Sequence, residues 1–425
     1  MNSLEAGIVI IGAGPAGMAA ACAASGQRVI VIDDNHAAGG QIWRGGHGKS
    51  PAHRWLRRFH EAGAKLISAS RVIGLGASPN TLLVEQADCS VTITYRRLIV
   101  ATGAREFFLP FPGWTLPNVV GVGGLQALVK SGVPVEGKRI VIAGSGPLLL
   151  AAAAILRGRG AHVSLIAEQA SFKAIARFAA RLGLFPGKVR EGLRLACQLL
   201  AVPYKTGAWV EAAHGNRSVA SASIVSGGKR WLETCDYLAV AYGLTPNLEI
   251  PMLLGCEVHD GRVVVDTLQE TTVPDVYCAG EPTGIGGVEL SLAEGEIAGA
   301  CAAGRADAVA GAMARRDRWR SFASALNQAF ALRPELQSLA KPDTLICRCE
   351  DVTAGRLAAY QSWRSAKLHT RCGMGPCQAR ICGPALEFLR GWRADSVRPP
   401  LFPARVDSLA HLHHESNQSQ NGVLA

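Results

Sequence analysis

A chain of 425 residues, 48% hydrophobic and 18% charged, has a globular composition and is too long for one ordinary core, so two or three domains are expected. The net charge is +11, yet the arginines are dispersed and no run of five basic residues occurs. That pattern argues against nucleic acid and leaves an acidic partner protein or modest attraction to a membrane surface.

The first segment is a strand–turn–helix–strand: "GIVIIG", "AGPAGMAAACAASG", "QRVIVIDD". Its apolar opening has no basic residues ahead of it, and no uninterrupted apolar run of about 18 residues follows anywhere. Neither a signal peptide nor a membrane span is expected, and the chain is read as cytoplasmic, at most peripheral on a membrane. "YRRLIVATGA" is a buried strand ending in a glycine turn, and "KRIVIAGSGPLLLAAAAILRGRGAHVSLIAE" is a second βαβ unit. Two amphipathic helices (about 171–183 and 187–201) precede short strands ending at "LAVAYGLTPN". "VPDVYCAGEPTGIGGVELSLAEGEIAGACAAG" is another strand running into a turn and helix. From about 305 the pattern is helical and Arg-rich, from about 340 it is rich in cysteine, and the tail from about 407 is read as flexible, with metal binding by its three histidines weighed and set aside.

The strongest motif is Gly12-x-Gly14-x-x-Gly17, placed after a strand and opening a helix. Gly12 permits the tight turn, Gly14 lets backbone approach a pyrophosphate, and Gly17 allows close helix–strand packing. The helix N-terminus offers N–H groups to phosphate, and Asp33, ending the next strand, suits ribose hydroxyls. Asp34 is the alternate register.

Two further features accompany it: "GGQ" (Gly39, Gly40, Gln41) after the acid, and Gly280-Glu281 between a late strand and a helix. Over residues 5–305 this pattern resembles the two-dinucleotide-domain flavoproteins, such as glutathione and thioredoxin reductases. The resemblance implies an α/β fold with two Rossmann-like domains, the first holding FAD. Its contacts would come from Gly12, Gly14, Pro15, Ala16, Gly17, Asp33, Gly40 and Gln41. Ala101-Thr102-Gly103 would mark the return strand, and Gly280 with Glu281 would approach the ribityl chain, where the family usually carries aspartate.

The second unit departs from the pattern. Gly144-x-Gly146 is followed by Leu149 where a small residue should stand, so the leucine should push helix and strand apart or block a phosphate. Glu168, ending the next strand, would repel the 2′-phosphate of NADP. The site therefore holds NAD or ATP weakly, or is structural. Disulfide reductase chemistry is excluded, because "GGQIWRGGHG" has no cysteine and residues 135–250 hold only the distant Cys197 and Cys235.

Twelve cysteines in a reducing compartment should be thiols or metal ligands. Cys22, Cys89, Cys197, Cys235, Cys256, Cys278 and Cys301 are scattered singly and read as small core residues. The other five crowd into "ICRCEDVT" and "CGMGPCQARIC". A CxC pair, a distant second pair and glycine-rich backbone suit a [2Fe–2S] cluster, with zinc and free thiols as the alternatives. The segment resembles the bacterioferritin-associated ferredoxin type. That resemblance implies Cys347, Cys349, Cys377 and Cys382 as ligands and leaves Cys372, where the type often has alanine, as a spare or competitor.

Together with "FPGWTLPNVVGVGGLQALVKSG" and "GSGPLLL", these motifs look like one group: the FAD subunits of hydrogen cyanide synthase, opine oxidases, and D-hydroxyproline or dye-linked proline dehydrogenases. The expected domains are 1–110 with 240–305 for FAD, 111–239 for the degenerate nucleotide fold, 306–340 as a helical linker, 341–406 for the cluster and 407–425 as tail. The resemblance implies an oxidoreductase subunit relaying electrons from an amine-oxidising flavoprotein (beta) subunit, with a small ferredoxin-like subunit beside it. An amino acid would be the substrate, with an additional FMN at a subunit interface. A self-contained NAD(P)H-dependent flavin reductase and a non-catalytic nucleotide-binding scaffold are the rivals. Leu149 argues against the first and the intact Gly12/Gly14/Gly17 set against the second.

Overall fold

The computed structural model describes residues 2–43, 51–394 and 396–410, and the tail histidines His411, His413 and His414 lie outside the described residues. The chain forms two compact units: residues 1–105, 246–323 and 396–425, and residues 106–245 and 324–395.

The first unit is built on a seven-stranded sheet among the described residues. Its order is Lys65–Ile67, Val29–Ile32, Asn2–Ile11, Ser90–Val100, Thr81–Glu85, Arg71–Leu75, with Val276–Cys278 also paired to Ser90–Val100. The first four strands and Val276–Cys278 run parallel, while the 71–75 and 81–85 strands turn back antiparallel. Parallel strands are covered on both faces, which is why their sequences are almost unbroken apolar runs. Ile8 and Ile10 pack with Met18 and Ala20 on one face. Val9 and Ile11 pack with Ile32 and Val100 on the other.

The helix Pro15–Ala23 lies against the late helix Val288–Ala302 with almost no side chain between them. A Cβ on Gly295 would overlap the Ala16 carbonyl oxygen, and one on Gly299 would overlap that of Ala20. The small residues of "AGMAAACA" and "EGEIAGACA" are thus set by backbone contact between helices rather than by propensity.

The second unit repeats the plan. Tyr204–Thr206, His162–Glu168, Arg139–Gly144, Tyr237–Ala241 and Val119–Gly121 form a parallel five-stranded sheet, beside a three-stranded antiparallel meander (208–215, 219–226, 229–234). Ile140 and Ile142 face the helix Leu148–Gly158, whereas Val141 and Ala143 face the meander. The helices expected near 171–183 and 187–201 are Phe172–Arg181 and Pro186–Gln198. The cysteine segment has its own small core: Ile346, Val352, Leu357, Trp363, Leu386 and Trp392 surround three of the thiols.

The scattered cysteines require one correction. Cys235, Cys256, Cys278 and Cys301 are buried and Cys22 half-buried, but Cys89 and Cys197 are exposed. Cys89 sits in the turn joining strands 81–85 and 90–100, and Cys197 on the solvent face of its helix.

Gly299→Val should lower stability by about 1–3 kcal/mol, because the added carbons must force the two helix backbones apart. Gly192→Ala, in an exposed helix with nothing near its Cβ position, is the reference and should be neutral or slightly stabilising. Urea titration of both variants checks the contrast.

Candidate cofactor sites

The first site lies at the carboxyl ends of the parallel strands, where open α/β sheets bind ligands. The register Ile11↔Val100 sets Gly12 beside Ala101, and with φ +104° a side chain on Gly12 would run into the Ala101 carbonyl. A Cβ on Gly17 would overlap the Gly12 carbonyl oxygen, so this glycine is fixed by helix–strand packing. Gly14 differs from both. Its φ of −74° and ψ of −173° suit any residue, and the nearest atom to a Cβ there is the Gly40 Cα at 3.9 Å. Neither backbone strain nor packing demands glycine at 14; an open cradle at the start of a helix does, and a dinucleotide's pyrophosphate fits it.

Asp33, buried at the strand end, accepts the Ala13 N–H at 2.6 Å through Oδ2 and the Asn35 N–H at 2.8 Å through Oδ1. Gly39 N–H donates to the Ala13 carbonyl at 2.8 Å, which brings Gly40 (φ +59°) against Gly14. Pro15 opens the helix, Ala16 is buried beneath Gly280, and Gln41 is exposed in the short helix Gly40–Trp43.

The turn of Ala101, Thr102 and Gly103 is latched by Asn247, a residue that sequence reasoning left inside "GLTPN". Asn247 N–H donates to the Gly103 carbonyl at 3.0 Å, and Asn247 Nδ2 to the Thr102 carbonyl at 2.8 Å. Arg105 donates to Asn247 Oδ1 at 2.7 Å and pairs with Glu249 at 2.9 Å. The Gly280 turn is held from beneath by Glu294, also missed. Its Oε2 accepts the Gly280 N–H at 3.1 Å and the Thr283 hydroxyl at 2.7 Å, and Arg320 lies 3.1 Å from Oε1. Burial pushes the Glu294 carboxyl above its ordinary range. Glu281 turns its carboxylate into its own loop, accepting Gly286 N–H and Gly287 N–H, both at 3.1 Å.

The second site has the same frame and a different occupant. Gly144 (φ +144°) sits beside Ala241 as Gly12 sits beside Ala101. Glu168, however, is fully buried. Its Oε2 accepts the Gly146 N–H at 2.7 Å and its Oε1 the Ala170 N–H at 2.8 Å. The acid expected to confront a 2′-phosphate is turned into the protein instead, because its extra methylene reaches the second glycine of the turn. Leu149 is fully buried against Ile140 and Ile142, filling the space that a small residue would leave.

Over this turn lies the chain's own segment 330–333. Ser145 Oγ donates to the Phe330 carbonyl at 2.8 Å, and Gln169 Nε2 donates to the Ala331 carbonyl at 3.1 Å. Arg333 N–H donates to Gln169 Oε1 at 3.2 Å. The Phe330 ring stands edge-on to Phe178 at 5.6 Å and is the nearest neighbour of the Gly146 Cβ position.

The cysteine site is assembled from a hairpin, a helix end and a helix start. Cys347 ends the strand Leu345–Cys347, which pairs antiparallel with Val352–Thr353 and leaves Cys349 exposed in the intervening loop. The helix Trp363–Thr370 stops at Arg371 (φ +65°), and Cys382 begins the helix Cys382–Arg390. A Cβ on Gly373 would meet the Trp363 ring at 2.7 Å, and one on Gly375 would overlap Cys349. These glycines let the loop close over the hairpin.

The Sγ atoms of Cys347, Cys372 and Cys382 lie within 4.8 Å of one another, all buried. The residue set aside from the sequence as a spare is therefore inside the inner group. Cys349 is exposed and Cys377 half-buried, outside that group. Hydrogen bonds from Cys372 and Cys382, with backbone N–H groups of Gly373 and Glu350, hold the Cys347 thiol far below its usual range. Cys372 and Cys382 are raised, chiefly by their hydrogen bonds with Cys347. Buried thiols with N–H donors aimed at sulfur fit an iron–sulfur cluster.

The family model described as pyridine nucleotide-disulphide oxidoreductase matches residues 6–304. An opine oxidase subunit from Rhizobium meliloti is 32% identical, over 95% of this chain and 98% of its own. Hydrogen cyanide synthase subunit HcnB from Pseudomonas aeruginosa is 32% identical, over 88% and 90%. Among solved structures, L-proline dehydrogenase from P. horikoshii superposes with a TM-score of 0.71 at 18% identity, covering 96% of this chain and 80% of that one. Thioredoxin reductase from T. acidophilum gives 0.55 at 21% identity, covering 72% and 99%. No helix among the described residues is long and apolar enough to cross a membrane.

Gly14→Val should fold normally yet retain at least about tenfold less flavin, since its side chain fills the cradle and nothing else. Flavin released on heating, against far-UV circular dichroism, measures both. Burial pushes the Glu168 carboxyl from 4.5 to about 7, so the folded chain keeps a proton that the unfolded chain has lost. Its contribution is fully present below about 4.5 and lost as pH rises through about 7. Melting temperatures from pH 5 to 8 should fall less steeply in Glu168→Gln than in the parent.

Proposed function

Because the chain belongs to the pyridine nucleotide-disulphide oxidoreductase family and groups with the opine oxidase and hydrogen cyanide synthase subunits, we propose that it is an electron-carrying FAD subunit of a heteromeric amine or amino-acid dehydrogenase or oxidase. The substrates proposed for the complex are D-hydroxyproline, proline or an opine, oxidised by a partner flavoprotein subunit. A small ferredoxin-like subunit is proposed as a further component. Both relatives are themselves named as subunits, and the fold is that of L-proline dehydrogenase. Glycine as the substrate is the second reading, favoured by the likeness to the hydrogen cyanide synthase subunit.

The observation that carries the proposal is the contrast between the two glycine turns. The first leaves Gly14 half-exposed at its helix start, whereas the second buries Gly146, with the Phe330 and Ala331 carbonyls bonded over its turn. A chain with one open dinucleotide site, no dithiol beside it and a nest of five thiols is suited to receiving electrons from another protein rather than from a nicotinamide. We assign residues 1–110 with 240–305 to FAD, 111–239 to the closed nucleotide fold and 341–406 to a [2Fe–2S] cluster, with 306–340 as a helical linker.

When bound, FAD supplies the conversion of a two-electron reduction into single electrons, and a [2Fe–2S] cluster supplies an outlet for them. The chain's own residues do the positioning. The Gly14 backbone and helix start would receive the pyrophosphate, and Asp33, which holds the turn, would serve the ribose. Asn247 and Glu294 fix the two turns on either side. Cys349 and Cys377 would hold the cluster from the outer side, and Cys347 with Cys382 from the inner side. The compartment proposed is the cytoplasm, with at most peripheral association at the inner membrane face.

Anaerobic stopped-flow separates this reading from a self-contained reductase. NADH and NADPH should each leave the flavin of the isolated chain oxidised. The chain mixed with its co-purified partner and hydroxyproline, proline, an opine or glycine should be bleached by one of them. Rapid stoichiometric reduction by either nicotinamide would reject the subunit model.

A further inference from the structure

A two-iron cluster takes four cysteines, and this site offers five. The inner three, Cys347, Cys372 and Cys382, are 1%, 0% and 1% exposed, with sulfurs mutually within 4.8 Å. Two thiolates on one tetrahedral metal, each about 2.3 Å from it, stand about 3.8 Å apart. The inner three lie within reach of that spacing, while Cys349, exposed, and Cys377, half-buried, stand outside the group.

The place of Cys372 is built rather than incidental. Arg371 in the left-handed conformation ends the helix and swings the next residue inward. The Thr370 hydroxyl accepts the Cys372 N–H at 3.2 Å while donating to the Ala366 carbonyl at 2.7 Å. Arg371 is pinned to Glu350 at 2.8 Å, which ties this turn to the hairpin bearing Cys347. The sulfur of Cys372 is thus held on the side of Cys347 and Cys382, away from solvent.

We propose that Cys372 is a reserve ligand of the inner iron, able to replace Cys382 or Cys347 there but unable to replace Cys349 or Cys377 on the outer one. This rests on the cluster reading above. The exchange is redox-neutral. Cys372 loses its S–H proton and gains an Fe–S bond, and the displaced cysteine loses its Fe–S bond and gains a proton.

The test uses the full-length protein prepared anaerobically, with iron, acid-labile sulfide, visible circular dichroism and the electron paramagnetic resonance of the reduced cluster as readouts. Cys372→Ala should keep about two irons per chain. Cys382→Ala and Cys347→Ala should each keep more than half of the iron, with altered spectra. Adding Cys372→Ala to either should cut the iron at least about tenfold. Cys349→Ala should lose the cluster whether or not Cys372 is present. Far-UV circular dichroism identifies a variant that does not fold, and the two inner positions then stand in for each other.

If both inner single variants lose the cluster as completely as the doubles, Cys372 is only a core residue and the inference is wrong, while the cluster itself stands. Retention of iron by Cys349→Ala through Cys372 would overturn the inner–outer division. Stoichiometric zinc in the parent protein would remove the cluster reading and this inference with it.

Discussion

Asp33 and Glu168 each end the second strand of a βαβ unit, and each accepts a backbone N–H from the glycine turn before the helix. That carboxylate-to-turn bond fixes where the turn points, and everything placed on the turn inherits its position. In the first unit the shorter aspartate reaches Ala13 and leaves Gly14 open. In the second the longer glutamate reaches Gly146 and occupies one of the donors that a phosphate would use. The two turns therefore differ first in the acid that holds them, and then in Leu149 and the Phe330 segment.

Much of the fold was legible because its constraints are local. A glycine that must accept a carbonyl at van der Waals distance, as at 12, 17 and 144, leaves a mark at a fixed spacing, and buried parallel strands write unbroken apolar runs. The αβ order and the two nucleotide folds followed from those marks. The cover over the second turn was not legible, since Ser145 and Phe330 are 185 residues apart and neither belongs to a motif. Glu281 shows another limit. Its place after the late strand is readable, but whether its oxygens face a ligand or the Gly286–Gly287 backbone is decided by a turn geometry that many residues share. Cys89 and Cys197 were misread because a short apolar neighbourhood does not distinguish a helix face or a hairpin tip from a core.

The second nucleotide fold and the thiol site pack together within one unit. The Trp114 indole donates to the Leu345 carbonyl at 2.7 Å, two residues before Cys347. Phe107 meets Phe388 edge-on at 6.0 Å, and Gln337 Nε2 donates to the Phe388 carbonyl at 3.0 Å. Leu336 and Leu339, just after the covering segment, are buried in the same core as Val141 and Ala143. One stretch of chain therefore closes the turn and seats the cysteine module. Hydrogen bonds and ring contacts behind the thiols fix where the hairpin and the last helix present them.

The cover at Phe330 and Ala331 also changes what a glycine pair means in an alignment of related chains. Gly144 meets the Ala241 carbonyl and needs its positive φ, so folding alone asks for glycine there, with or without a ligand. The hydroxyl of Ser145 and the amide of Gln169 now serve peptide carbonyls. In such an alignment the letters that set this turn apart from the first one are Glu168, Leu149 and Phe330, and not the glycines.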